Sequence, residues 1–355
     1  MVNLLLEDLL VRVLELDGSD LHLTVGVEPS VRIRGELKRL TEFPVMTGAD
    51  TRKLIYDILT NRQIELFEET AEIDVAHSVP GVGRFRANVF RQRDSVGAVL
   101  RTIPYEITPL SELGVPSVIA SFAELQRGLV LVAGPTGSGK STTLAGIIDL
   151  INRTRPVHIM TIEDPIEFLH KHELAVVNQR ELGGDTMSYA VALKQALRQD
   201  PDVILVGELR EYEAIQCALT AASTGHLVFA SLHTQSAAQC VEHIVDAFPE
   251  HQQVQARTQL AATLQGVVTQ QLVPAADGQR RLCAAEVLTV GGPVRGLIRE
   301  GKTHQLPSVM QAGGRYGMQT MDQALADLVT RGDVYASTAE EFCVDAELFQ
   351  RMVNG

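Results

Sequence analysis

The chain has 355 residues, long enough for two domains with separate cores. Hydrophobic residues make up 45% and charged residues 21%, an ordinary globular balance, and no apolar run reaches the length of a membrane span. The net charge of -13 argues against a broad nucleic-acid footprint, which needs an excess of lysine and arginine; a local basic patch stays open.

The opening stretch "MVNLLLEDLLVRVLELDGSD" is apolar but carries Glu7, Asp8, Glu15 and Asp17. A signal peptide has a basic start and an uncharged core, so an amphipathic helix ending near Gly18 is expected instead. From Leu21 to Arg101, short alternating runs dominate. "VRIRGEL" and "RFRANVF" alternate with period two and predict half-buried strands, while "TRKLIYDILTNRQIELFEE" has helical spacing. Arg84, Arg86, Arg91, Arg93 and Arg101 crowd one predicted hairpin, where five arginines could serve an anion or simply form a solvated face. "TIPYEITPLSELGVP" follows; its prolines Pro104, Pro109 and Pro116 disfavour helix and mark a linker. The expected division is 1–103 for an α+β domain, 104–116 for the linker and 117–355 for an α/β domain with C-terminal helices.

Beyond the linker, "GLVLVAG", "HIMTIED", "DVILVGE" and "HLVFASLH" are short, fully apolar strands separated by helical segments. Strands alternating with helices predict a mainly parallel sheet covered on both faces. "GPTGSGKST" fits the phosphate-binding pattern G-x-x-x-x-G-K-[ST] and lies between a strand and a helix, as that pattern requires. Its members are Gly134, Pro135, Thr136, Gly137, Ser138, Gly139, Lys140, Ser141 and Thr142. The glycines let backbone N–H groups converge on phosphate oxygens, and the helix N-terminus adds partial positive charge. Lys140 is expected at the β- and γ-phosphates and Ser141 on Mg²⁺, making a nucleoside triphosphate and Mg²⁺ the implied ligands.

Carboxylates end two of the strands. "VILVGE" is expected beside the phosphate-loop strand, bringing Glu208 to the Mg²⁺ through water; the alternative is that Glu208 only pairs with Arg210. In "TIEDPIEF", Glu163 and Asp164 lie at a strand end, where a carboxylate could act as general base on the attacking water, with a capping acidic pair on a solvent loop as the alternative. "TGHLVFASLHT" puts His226 and His233 at the two ends of one strand, where each could equally be a structural hydrogen bonder. The four cysteines, Cys217, Cys240, Cys283 and Cys343, lack metal-ligand spacing and are expected as reduced thiols in the cytoplasm.

Together these stretches resemble the secretion and type IV pilus motor ATPases. The match covers roughly Ser19 to Val329, through "TIEDPIEF", "LRQDPDVILVGELRE", "TGHLVFASLHT" and "LIREGKTHQLPSVMQ", the last typical of the PilT-type retraction branch. The chain departs from the family at Glu211, where an aspartate is usual, and in "PVRGLIRE", with Pro293 and Gly296. The resemblance implies a PAS-like N-terminal domain, a RecA-like ATPase domain and a homo-hexamer powering pilus retraction. It further implies an inner-membrane platform partner at the pilus base and a peripheral position on the cytoplasmic face of that membrane; no nucleic-acid partner is expected, on the ground of charge. It assigns Glu163 as base, Glu208 as the Walker B carboxylate, Arg86 and Arg101 to the γ-phosphate, and His226 and His233 to a paired histidine motif. A retraction-accessory paralogue, a pilus or type II secretion assembly ATPase, a DNA-transfer ATPase and a nucleotide-binding scaffold without turnover are the alternatives.

Overall fold

The computed structural model describes residues 5–79, 81–103 and 106–354. Pro104 of the expected linker lies outside them. The chain separates into two compact units, Met1–Glu106 with Glu167–Leu169, and Ile107–Ile166 with His170–Gly355.

The first unit is built on six antiparallel strands: β1 (Asp20–Leu23), β2 (Ser30–Ile33), β3 (Glu36–Arg39), β4 (Glu72–Val79), β5 (Gly83–Gln92) and β6 (Ser95–Ile103), in the order β3-β2-β1-β6-β5-β4. Period-two alternation sends Phe85, Ala87 and Val89 of β5 into a core shared with Leu9, Leu10 and Val13 of the N-terminal helix Leu6–Glu15. The same alternation leaves Arg84 and Arg86 on the other face. "VRIRGEL" is not one strand. Arg34 and Gly35 take φ of 50° and 87°, and this two-residue turn splits the run into β2 and β3. The helical stretch after Thr47 is likewise two helices, Gly48–Tyr56 and Asn61–Thr70, because Thr60 and Gln63 form a capping box that starts the second.

The second unit carries β7 (Gly128–Ala133), β8 (His158–Glu163), β9 (Val176–Glu181), β10 (Val203–Val206), β11 (Leu227–Leu232), β12 (Leu264–Pro274) and β13 (Arg281–Thr289). Their order is β13-β12-β7-β11-β10-β8-β9, parallel throughout except for β13. Every residue of β7, β10 and β11 is buried. The reason is coverage from both sides. Helices Tyr189–Ala196, Tyr212–Ser223, Ala237–Asp246 and Glu250–Thr263 supply one apolar layer, and helix Lys140–Thr154 supplies the other. Leu110, within the proline-containing stretch, packs into that second layer, so the stretch is folded against the unit from there onward. Helices Met321–Thr330 and Ala346–Asn354 form a smaller cluster with β12 and β13. No described helix is long and apolar enough to cross a membrane.

Candidate active site

The phosphate loop leaves β7 at Ala133 and enters helix Lys140–Thr154. Its shape requires glycine at 134. With φ of 142°, a Cβ there would fall 2.3 Å from the Gln270 carbonyl oxygen and 2.6 Å from Ser138 Oγ. Lys140, 8% exposed, is held inside the loop by the carbonyls of Gly134 and Pro135, both accepting from Nζ at 2.9 Å. Ser138 Oγ is buried without a hydrogen-bond partner, and Gly139 caps the helix with no side chain, leaving the first-turn N–H groups to an outside acceptor. A buried ammonium, an orphaned hydroxyl and an uncapped helix N-terminus fit the phosphates of a nucleotide. An oxygen-only donor set, with Ser141 in the first helical turn, suits the hard Mg²⁺ ion.

Glu163 ends β8, where Thr161 Oγ1 donates to its Oε1 at 2.5 Å and Gln179 Nε2 donates to the same oxygen at 3.2 Å. Glu208 follows β10. The strand end is stitched to both neighbours: Gly207 N–H donates to the Ile162 carbonyl at 2.7 Å, Leu209 N–H to the Ser231 carbonyl at 3.0 Å, and Ser231 Oγ to the Gly207 carbonyl. The Glu208 carboxylate accepts from Arg210 and, at 2.9 Å, pairs with His233 Nε2. Pairing with Arg210 therefore occurs, and His233 joins it.

One expectation needs correction. β10 does not neighbour β7, because β11 lies between them. Strands are spaced about 4.8 Å apart, so Glu208 starts roughly 10 Å across the sheet from the phosphate-loop strand. The strand next to β7 instead ends in His233. Its other histidine is elsewhere: His226 precedes β11, at the opposite edge of the sheet, where Nδ1 lies 3.0 Å from the Ala221 carbonyl. The six residues of β11 lie between the histidines, and seven steps of about 3.3 Å put them about 23 Å apart. Glu163, Glu208 and His233 thus gather at the phosphate-loop edge of this unit, and His226 does not.

In the first unit, Arg86 and Arg101 are direct cross-strand partners on β5 and β6. Like charges opposite each other repel, so their pairing calls for anionic neighbours. Arg101 Nε meets Asp20 Oδ1 at 2.8 Å, and Arg86 Nε lies 3.6 Å from Asp74. Burial pushes the Asp20 carboxyl up, but hydrogen bonds from Ser19 and Arg101 outweigh it and hold its pKa below the ordinary value. The five-arginine cluster is broken up. Arg91 is bound to Glu68 at 2.5 Å, and Arg93 lies in the two-residue turn at the far end of the hairpin.

Three residues at this edge escape sequence reasoning: Thr161, Gln179 and Tyr189. A Cβ on Gly207 would sit 3.1 Å from the Tyr189 hydroxyl and 3.2 Å from the Glu163 Cα, placing that hydroxyl where β8 and β10 end. Burial, then the charges of Asp164, Glu208 and Glu163, push the phenol pKa upward, keeping it a protonated donor. No motif or periodicity announces any of the three: Gln179 lies in "VVNQRE", two valines followed by four polar residues.

A loop built for phosphates, on a mainly parallel sheet whose adjacent strands β8 and β10 end in carboxylates, defines the class as P-loop nucleoside triphosphatase. The chain belongs to the type II/IV secretion system protein family, whose model matches residues 95–330. It is 47% identical to the type IV pilus retraction ATPase PilT of Pseudomonas aeruginosa over 91% of this chain and 94% of the relative. It is 46% identical to a twitching motility protein of Neisseria gonorrhoeae over 90% of this chain and 85% of the relative. A crystal structure of the pilus retraction motor PilT with bound ADP superposes with a TM-score of 0.91 at 47% identity, covering 98% of this chain and 100% of that one.

Proposed function

We propose that the protein is a motor ATPase that couples ATP hydrolysis to type IV pilus retraction and twitching motility. The observation that carries this reading is the near-complete likeness, in length and fold, to the retraction motor PilT. In this reading Lys140 and the loop N–H groups bind the β- and γ-phosphates, and Ser141 holds Mg²⁺ with Glu208 acting through water. When bound, Mg²⁺ neutralises charge on the phosphates. Glu163 accepts a proton from the attacking water as its oxygen bonds to the γ-phosphorus and the bond to ADP breaks. His233 orients Glu208, a role supported by their 2.9 Å contact. Arg86 and Arg101 are assigned to the γ-phosphate, a task suited to a permanently charged, forked donor. The working form is a homo-hexamer on the cytoplasmic face of the inner membrane, bearing on the platform protein at the pilus base.

The test is genetic and enzymatic. A strain lacking the protein should keep extended pili and lose twitching, with rescue by the wild-type chain but not by Glu163→Gln. The purified Glu163→Gln protein should retain nucleotide binding and lose turnover by about 10²- to 10⁴-fold, the usual weight of general-base catalysis. Normal twitching in the deletion strain defeats the retraction role. Wild-type turnover by Glu163→Gln defeats the base assignment.

A further inference from the structure

Glu163 is one residue in a web of side chains reaching across from β9. Along β9, alternation sends Gln179 and Glu181 to the same side. Glu181 Oε2 accepts the backbone N–H of Ile166 at 3.0 Å. Gln179 Oε1 accepts the backbone N–H of His170 at 2.8 Å. These two bonds pin both ends of the 166–170 stretch that follows the Glu163 strand end. The His170 bond also fixes the orientation of the Gln179 amide. A backbone N–H can only donate, so the Gln179 atom that meets it is the carbonyl oxygen, and the group turned to Glu163 is the NH₂ donor. That donor lies 3.2 Å from Glu163 Oε1, the oxygen that Thr161 also bonds.

We propose that Gln179 is the positioning residue of the hydrolytic base: its single amide ties the Glu163 carboxylate to the backbone of the loop at His170. The inference rests on the reading of Glu163 as base and deepens it. A carboxylate on a flexible side chain samples several rotamers. Two donors on one oxygen select one of them and set the direction in which the second oxygen faces. Because the amide's other end grips the loop, a shift of the loop backbone moves the base. Turnover thereby becomes sensitive to the loop position while phosphate binding, which uses a different loop, does not. Gln179 touches neither phosphate nor water in this scheme; it acts only through Glu163.

Two substitutions of nearly equal size separate this role from a structural one. Gln179→Glu keeps the acceptor for the His170 N–H but puts a carboxylate where the NH₂ donor stood. Gln179→Leu removes both bonds. The steady-state kinetics of ATP hydrolysis, ADP affinity and melting temperature are measured for each. Both variants should lose about 10- to 100-fold in kcat, with KM for ATP and the Kd for ADP within about twofold of wild type, the pattern of a lost transition-state arrangement. Gln179→Glu should melt close to wild type. Added to Glu163→Gln, neither should lower turnover further, because residues acting as one unit are not additive. Wild-type kcat for Gln179→Glu beside an inactive Glu163→Gln overturns the positioning role and leaves the base assignment standing. Loss of kcat, ADP affinity and melting temperature together in both variants also overturns it, in favour of a purely structural amide. An active Glu163→Gln fails the underlying reading instead.

Discussion

At the scale of single residues, the two arginines assigned to the γ-phosphate are unequal probes. Arg86 is half exposed, and its ion pair with Asp74 is long and exposed. Such pairs contribute about 0–1 kcal/mol. Arg101 sits on Asp20, a residue only 5% exposed, so removing it strips a buried carboxylate of its ion-pair partner. That leaves a desolvation cost of about 1–3 kcal/mol, only partly relieved by the hydrogen bond from Ser19. Arg86→Gln should therefore unfold at the wild-type denaturant midpoint, and Arg101→Gln at a clearly lower one. If both arginines act on phosphate, both variants lose turnover, and only the loss in Arg86→Gln is free of a stability component. Equal midpoints for the two variants would remove the structural role given to Arg101.

At the scale of elements, the stretch after β8 carries a pH signature. His170 is largely buried, and its Nδ1 finds no hydrogen-bond partner. Burial lowers its pKa to about 4, against a smaller upward pull from Asp149. The unfolded chain takes up the proton near pH 6.5, whereas the folded chain resists it until about pH 4. Across that window the unfolded state binds more protons, so acidification favours unfolding and stability falls as pH drops. His170→Asn should flatten this part of the stability profile, measured by urea denaturation at pH 7 and pH 5. An unchanged slope would show that other groups cause the acid sensitivity.

What the sequence makes visible at this scale follows burial. β7, β10 and β11 are covered on both faces, so they read as unbroken apolar runs. The phosphate loop is legible because its chemistry needs neighbouring residues. β9 is not legible because it is an edge strand, and "VVNQRE" mixes buried and exposed positions. β12 hides behind its glutamines. Gln270 is 1% exposed, and its Nε2 donates to Thr143 Oγ1 at 2.9 Å, a partner 127 residues away that periodicity cannot supply. Thr161, Gln179 and Tyr189 gain their meaning only from strands brought together across the sheet. The misplaced neighbour of β7 has the same origin: each strand is visible in the sequence, but their lateral order is not.

At the scale of the molecule, two units with separate apolar clusters carry different parts of the proposed cycle. Assembly into six chains is the expectation that gives such an ATPase something to push against. Sedimentation at micromolar concentration, with a non-hydrolysable ATP analogue, should reveal a six-chain species of about six times 38.7 kDa. A protein that stays monomeric there, yet hydrolyses ATP fully, would count against a ring motor.

The tight turn at Arg93–Asp94 has a consequence for how this hairpin can change. Both residues have positive φ, 46° and 60°, and together they close β5 onto β6 with Gln92 opposite Ser95. That closure alone determines that position 86 meets position 101. A one-residue slip along β6 would turn Arg101 toward the core and present Leu100 or Thr102 in its place. The hairpin can thus exchange side chains along its outer face, but it cannot readily gain or lose a residue at its tip. In evolution or in engineering, it is the length of this turn, more than its composition, that the arginine pair constrains.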